Sequence, residues 1–569
     1  MFENQINPRS KNPVLAQYDA TCASFSWEQV NREFTWHTTG KFNIAHEAIG
    51  RFAANPATVD KPCLIYSLRE RREVFSYAEM DRLSNRFGNV LRGLGVGRGD
   101  RIFLFLPNIP ELYIALAGCA KIGAIIVPLY AQFRMAALRD RMLDAQGAVL
   151  VTTPGHRSHI PDQELPALEH IIIVGGGAAA PEYGETLWEE EMAHAPDELA
   201  MEWLDADTPL FLIYTSGQDG SPIGLVHVHD AMRGYLMTSR WALDLKPGDV
   251  LWTQAQPGWF MNVVYNAFAP WLCGVPSFIT GRLTSAEEFY RHVQESGVSV
   301  VYTTPTVYRM LVEAGADTAR RFDLKSLRHL ASVLEPLYPD LIYGLMRILD
   351  MPVHDTWWTA ETGMITIANF PCLPIKPGYL GKAMPGLEIK VFDPDGKEPA
   401  PFTMGDLAIR QGWPAMARGA WRNKEAFSLF VRRPPWFLIN DTAFVDYDGY
   451  FYHQGRTDDV IITAAGKTGF AEIERALAEH PAVAEAAVIR SADEHGRKKI
   501  KAFVSLKAAY KPSTLLQKKI MAYLLQTIDP YLALAEIEFR DSLPRDKAGM
   551  IMRRVLKAWE LGLPVGRVQ

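Results

Sequence analysis

Residues 76–128 read SYAEMDRLSNRFGNVLRGLGVGRGDRIFLFLPNIPELYIALAGCAKIGAIIVP, and their rhythm decides the fold. Residues 76–94 have the period of an amphipathic helix, with Leu83, Phe87, Val90 and Leu91 on one face and Ser76 placed to cap the first turn. Gly99-Asp100 then leads into 101–106, a short apolar run suited to a buried strand. Residues 110–122 return to helix and 124–128 to strand, and further strands of the same kind read at 148–153, 170–174 and 298–303. Helix and strand in alternation imply an α/β fold, with parallel sheets covered by helices on both faces.

The texture changes at about Gly386. Residues 387–392, 405–410 and 450–453 are short alternating strands parted by turns such as Pro394-Asp395-Gly396 and Asp448-Gly449, which predicts a small antiparallel β subdomain over about 386–456. Beyond Gly455 a helix begins near Phe470, strands follow at 484–489 and 501–506, and a second helix covers 515–528. The expected organisation is a large N-terminal domain over 1–456 and a small α+β C-terminal domain over 457–569.

A chain of 569 residues is too long for a single core, and 48% hydrophobic with 22% charged residues is ordinary for a globular protein. A net charge of −6 gives no reason to expect a nucleic-acid or membrane-surface partner. Cys22, Cys63, Cys119, Cys273 and Cys372 are scattered and form no CxxC pair, which fits a reducing compartment better than a disulfide framework or a zinc site. The N-terminal MFENQINPRSKNP lacks the apolar centre of a secretory signal. The most apolar stretch, 112–127, is broken by Lys121 and falls short of the roughly 20 residues a membrane span needs. The expected location is cytoplasmic.

The apolar run 210–213 opens into Tyr214-Thr215-Ser216-Gly217-Gln218-Asp219-Gly220-Ser221-Pro222-Ile223-Gly224, a glycine-rich turn whose backbone N–H groups suit an anion. Read alone it is more often a plain turn. Read with His354-Asp355-Thr356-Trp357-Trp358-Thr359-Ala360-Glu361-Thr362-Gly363, Leu334-Glu335-Pro336-Leu337, and the 436–456 stretch containing Asn440-Asp441 and Gly455-Arg456, it resembles the AMP-forming acyl-CoA synthetases of the adenylate-forming superfamily. Within that superfamily the tryptophan motif is most similar to acetyl-CoA synthetase. Arg456-Thr457-Asp458-Asp459-Val460-Ile461 resembles the family's hinge, and 413–419 and 543–554 resemble further family stretches in the same order.

The resemblance implies ATP or AMP, Mg²⁺ and coenzyme A as ligands, with a small carboxylic acid as the other substrate. It implies that Thr215, Ser216, Gly217 and Gly220 cradle phosphate, and that Glu335, Pro336, Asp355, Thr356 and Trp357 surround the nucleotide. Asp441 would accept from the ribose hydroxyls, Arg456 would pair with ribose or α-phosphate, and Glu361 would ligate Mg²⁺. Trp259, Met261 and Trp358 would line an acyl pocket kept short by Trp358. Asp458 would be the pivot on which the C-terminal domain turns, and Lys467 would stand in for a coenzyme A contact.

The chain departs from the family pattern mostly around the triphosphate. Gln218 and Asp219 replace hydroxyl residues, Ser221 and Ile223 replace lysines, Ala360 replaces a threonine, and Met550 replaces the lysine that stabilises charge at the α-phosphate. Lys547 lies close enough to substitute by a change of register. Leu334 replaces glycine beside the adenine, and Met261 and Asn262 replace smaller residues in the pocket. The expected activity joins acid, ATP and coenzyme A into acyl-CoA, AMP and pyrophosphate through an acyl-adenylate. Two alternatives stay open on the sequence: a nucleotide-binding paralogue deficient in adenylation, and an enzyme that keeps only the step from acyl-AMP to thioester.

Overall fold

The computed structural model describes residues 5–68, 71–133, 135–161, 164–176, 184–216, 222–335, 337–393, 395–403, 405–428, 430–456, 460–463, 466–492, 498–528, 534–544, 551 and 553–560. Two large sheets draw their strands from residues 62–420. The nine-stranded sheet runs in the order Lys382–Ala383, Ile367–Ala368, Val353–Trp357, His329–Ser332, Val300–Thr303, Leu251–Thr253, Ser277–Ile279, Pro62–Leu68, Arg71–Ser76. The eight-stranded sheet runs Gly419–Ala420, Pro222–Val228, Pro209–Ser216, Ile125–Pro128, Arg101–Phe105, Val149–Thr152, His170–Ile173, Glu185–Leu187.

The inner strands are parallel, as the helix–strand alternation implies. The edges are not. Pro62–Leu68 is followed directly by antiparallel Arg71–Ser76, and Pro209–Ser216 by antiparallel Pro222–Val228. Connections this short cannot complete a crossover, which takes a dozen or more residues, so each folds back as a hairpin. The glycine-rich segment therefore joins two strands rather than a strand and a helix.

The helix predicted over 76–94 is Tyr77–Gly93. Ser76 Oγ accepts from the Glu79 amide at 3.2 Å and Glu79 Oε2 accepts from the Ser76 amide at 2.8 Å, a reciprocal cap that leaves neither donor orphaned. Helix Pro110–Lys121 packs beside it. Lys121, the residue that breaks the apolar stretch, is fully buried, its Nζ 2.7 Å from Asp81 Oδ1 and 2.6 Å from Asn85 Oδ1. A buried ammonium is tolerated when it is paired and hydrogen-bonded in this way. No described helix is long and apolar enough to cross a membrane.

The antiparallel sheet of the β subdomain runs Ile389–Phe392, Gly405–Arg410, Trp436–Val445, Phe451–Arg456. Further on, helices Phe470–Glu479 and Thr514–Thr527 cover strands Val483–Ala492, Lys498–Leu506 and Leu534–Phe539. These elements share a core of their own that includes Phe470, Ile473, Leu477, Val488, Val504, Ile520, Leu524 and Ile537. A separate core supports the reading of the C-terminal part as an independently packed unit.

Candidate active site

Parallel sheets place ligands beyond the carboxyl ends of their strands. Strand Val353–Trp357 ends there, and Trp357 and the next residue, Trp358, reach different partners. Trp357 Nε1 donates to Asp441 Oδ2 at 3.1 Å, and Trp358 Nε1 donates to the Tyr302 hydroxyl at 3.0 Å. The first indole thus joins the nucleotide candidates, and the second belongs to an aromatic box. Tyr265 meets Trp358 edge-on with ring centroids 5.3 Å apart, and Phe260 lies 5.7 Å away.

Phe260 was not singled out by sequence reasoning, which placed Met261 in the pocket. Both are buried, but it is the Phe260 ring that lies against Trp358 and against His227 at 4.5 Å. Asn262 is turned elsewhere: its Nδ2 donates to the Tyr113 hydroxyl at 3.1 Å. Trp259 stacks on Tyr130 at 5.9 Å.

Earlier on the same strand, Asp355 and Thr356 are committed inside the sheet. Asp355 Oδ1 accepts from Ser332 Oγ at 2.6 Å and from the Thr356 amide at 3.0 Å. Burial pushes the Asp355 carboxyl up to about 7, against the pull of those two bonds. Thr356 Oγ1 lies 2.8 Å from the Tyr302 hydroxyl, so one phenol holds both the strand and Trp358.

Past the strand, a tight turn carries Glu361. Thr362 Oγ1 accepts from the Thr359 amide at 2.9 Å, and Gly363 has φ +76. A Cβ on Gly363 would lie 1.9 Å from the Ala415 carbonyl oxygen, so only glycine fits. Trp413 Nε1 donates to the Thr362 carbonyl at 2.8 Å and the Ala417 amide to that of Glu361 at 3.1 Å. The 413–419 stretch therefore buttresses this turn. Glu361 is buried, and its carboxylate bears on His227, which lies on the second strand of the glycine-rich hairpin. Burial lowers the His227 pKa to about 4, leaving a neutral imidazole at neutral pH.

Glu361 is a single carboxylate, and among the described residues no group of three or more His, Cys, Asp or Glu is placed to hold a metal ion. That donor set fits Mg²⁺, which takes one or two carboxylates, several waters and the phosphates of a substrate rather than a protein cage.

At the neighbouring strand end, Glu335 Oε2 accepts from the Thr306 amide at 3.1 Å and its hydroxyl at 2.6 Å, capping helix Pro305–Ala319. Leu334, the residue in place of glycine, has φ +75. A left-handed conformation costs an L-residue about 1–2 kcal/mol. Leu334→Gly is therefore expected to be more stable than Leu334→Ala by about 1 kcal/mol in denaturant unfolding, the reverse of the order at an ordinary position. Equal midpoints would mean that the backbone there is unstrained in solution.

Asp441 is buried at 2% exposure, and its backbone pairs in register with Arg456. His453 Nε2 donates to Asp441 Oδ2 at 2.9 Å, a contact the sequence did not suggest. Thr215 and Ser216 end strand Pro209–Ser216, where Thr215 pairs with Ile223 and Ser216 with Pro222. Lys467 pairs with Ile462 in a hairpin. Gly217, Gln218, Asp219, Gly220, Ser221, Pro336, Asp458, Lys547 and Met550 lie outside the described residues, as do the side chains of Ser216, Arg456 and Lys467.

The Glu361 turn against His227 and the Trp357–Asp441 pair stand at the strand ends, and the chain that carries them belongs to the AMP-binding enzyme family. The family's profile matches residues 52–421, and that of its C-terminal domain matches 472–549. The acetyl-coenzyme A synthetase of Bacillus subtilis (strain 168) is 43% identical over 97% of this chain and 96% of its own length. That of Methanothrix soehngenii is 33% identical over 94% of this chain and 84% of its own. The crystal structure of Brucella canis acyl-CoA synthetase superposes with a TM-score of 0.73 at 27% identity, covering 96% of this chain and 99% of that one.

Proposed function

We propose that the chain is a cytoplasmic AMP-forming synthetase for a short carboxylic acid, acetate foremost, turning acid, ATP and coenzyme A into acyl-CoA, AMP and pyrophosphate. The observation that carries this reading is the divergence of Trp357 and Trp358. One peptide bond separates a residue hydrogen-bonded to Asp441, the proposed ribose carboxylate, from one walling an aromatic box, so a nucleotide and an acyl group bound there would be neighbours. Identity with acetyl-coenzyme A synthetases along nearly the whole chain supports it.

In this reading Asp441 orients the ribose, Arg456 and the Thr215–Gly220 loop hold the phosphates, and Glu361 would hold Mg²⁺. The metal would supply charge neutralisation at the phosphates. The aromatic box excludes water and sets the carboxylate against the α-phosphorus. The polarity of the attack asks for alignment and neutralised charge more than for covalent help. The unit beyond about residue 456 turns on Asp458 to bring the coenzyme A thiol to the acyl-adenylate, with Lys467 at its approach.

Acid-dependent exchange of label between pyrophosphate and ATP, run over acetate, propionate, butyrate and an aromatic acid, tests the proposal. Acetate or propionate should lead, and exchange absent with every acid would sink it. Asp441→Ala is expected to weaken AMP binding by about 10- to 100-fold in calorimetry, the worth of hydrogen bonds to a charged acceptor. An unchanged affinity would remove Asp441 from the nucleotide site.

A further inference from the structure

We propose that His453 is a positioning residue for nucleotide recognition, holding the Asp441 carboxylate in the orientation that accepts from ribose hydroxyls. The inference rests on the reading of Asp441 given above and adds the device that aims it.

The device is a β-bulge. In the antiparallel pair Trp436–Val445 and Phe451–Arg456, Asp441 lies opposite Arg456 and Thr442 opposite Gly455. The next pair is Ala443 with His453, so Gln454 is an extra residue with no opposite number. Side chains alternate faces along a strand, so a slip of one residue moves every later side chain to the other face. In unbroken register Ala443 would oppose Gln454, and His453 would point away from Asp441. The bulge turns His453 onto the face of Asp441, diagonally across from it. Tyr452 is thereby sent to the opposite face, where it stacks on Phe444 with ring centroids 4.8 Å apart. Bulges beside active sites commonly re-aim a side chain in this way.

The result is a carboxylate gripped by two donors on one oxygen. Trp357 Nε1 reaches Asp441 Oδ2 at 3.1 Å and His453 Nε2 reaches the same atom at 2.9 Å. Asp441 is buried, while the His453 side chain is 22% exposed, so the imidazole spans from the rim of the site to the acid. Its ring lies 6.3 Å from that of Trp357. The strands are already joined by their backbones, so holding the sheet together does not require this contact. What the second donor adds is a fixed orientation of the carboxyl plane. A carboxylate so fixed discriminates between sugars that can donate to it and sugars that cannot.

Calorimetry on the full chain with AMP and 2′-deoxy-AMP reads this directly. The unaltered protein should prefer AMP by about tenfold, one charge-assisted hydrogen bond. His453→Phe should lose most of that preference, and His453→Gln, whose amide can still donate, should restore it. His453→Leu repeats the measurement if the phenyl ring does not pack. A purely architectural histidine would weaken both ligands alike and leave their ratio intact. Such an unchanged ratio in His453→Phe overturns the inference, as does a His453→Gln variant no better than the phenylalanine one, or an unaltered protein that does not discriminate. Asp441→Ala separates the two levels of the argument. If it binds AMP as the unaltered protein does, the nucleotide reading itself fails. If it loses AMP while the His453 variants keep the full ratio, only the role of His453 falls.

Discussion

Met550→Lys is expected to raise acid-dependent pyrophosphate exchange by about 10²-fold, because by resemblance Met550 takes the place of the lysine that stabilises charge between carboxylate and α-phosphate. The conversion of supplied acyl-AMP and coenzyme A to thioester should change little if, as proposed, the C-terminal unit turns between the two half-reactions and carries position 550 away for the second. The gain should grow when Ile223→Lys and Ala360→Thr are added. Ile223 pairs with Thr215 at the mouth of the glycine-rich hairpin, and Ala360 precedes Glu361 in its turn, so in the proposed function both positions would border the phosphates. Groups that act as a clamp are not additive, and a single restored donor recovers only part of the effect. If Lys547 already serves, Lys547→Ala should abolish exchange and Met550→Lys should add nothing. Exchange absent in all these variants would favour a nucleotide-binding protein without adenylation.

Trp358→Gly is expected to invert the order of acids. Discrimination in an apolar pocket runs at about 1–3 kcal/mol per methylene, so butyrate should gain at least about tenfold over acetate in kcat/KM for exchange. The structure qualifies how far the pocket opens. Phe260 still stands across the box from the lost indole and Tyr265 still closes its edge, so Phe260→Val in the Trp358→Gly background should extend the gain to longer chains. Removing a buried tryptophan costs about 3–5 kcal/mol, and a lower melting temperature should accompany the new preference. An unchanged ranking of acids would take Trp358 out of the acyl wall.

The parallel inner strands were legible because their apolar runs are short, punctuated and interleaved with helical periods. The antiparallel edges were not, because direction is set by the length of a connection rather than by the strand's own residues. In the site, motif residues could be named by resemblance, but their use depends on neighbours far away in the chain. Asp355 and Glu335 are polar residues in motif positions, and each is committed to a local bond, with Ser332 and with Thr306. Phe260 reads as one more apolar residue until His227 and Trp358 are brought to its two sides. His453 was invisible because its direction follows from one unpaired residue in a strand, a feature with no signature in composition or period.

The two tryptophans at the end of Val353–Trp357 also bear on how such a protein can change over generations. Because they are consecutive, an insertion or deletion in that strand would exchange their directions, sending Trp358 toward Asp441 and Trp357 toward the box of Tyr302, Tyr265 and Phe260. Loop remodelling is therefore closed as a route to new acids at this point. What remains open is replacement of one side chain at a time, at Trp358 and Phe260, over a backbone whose length is held constant by the bond of Trp357 to Asp441.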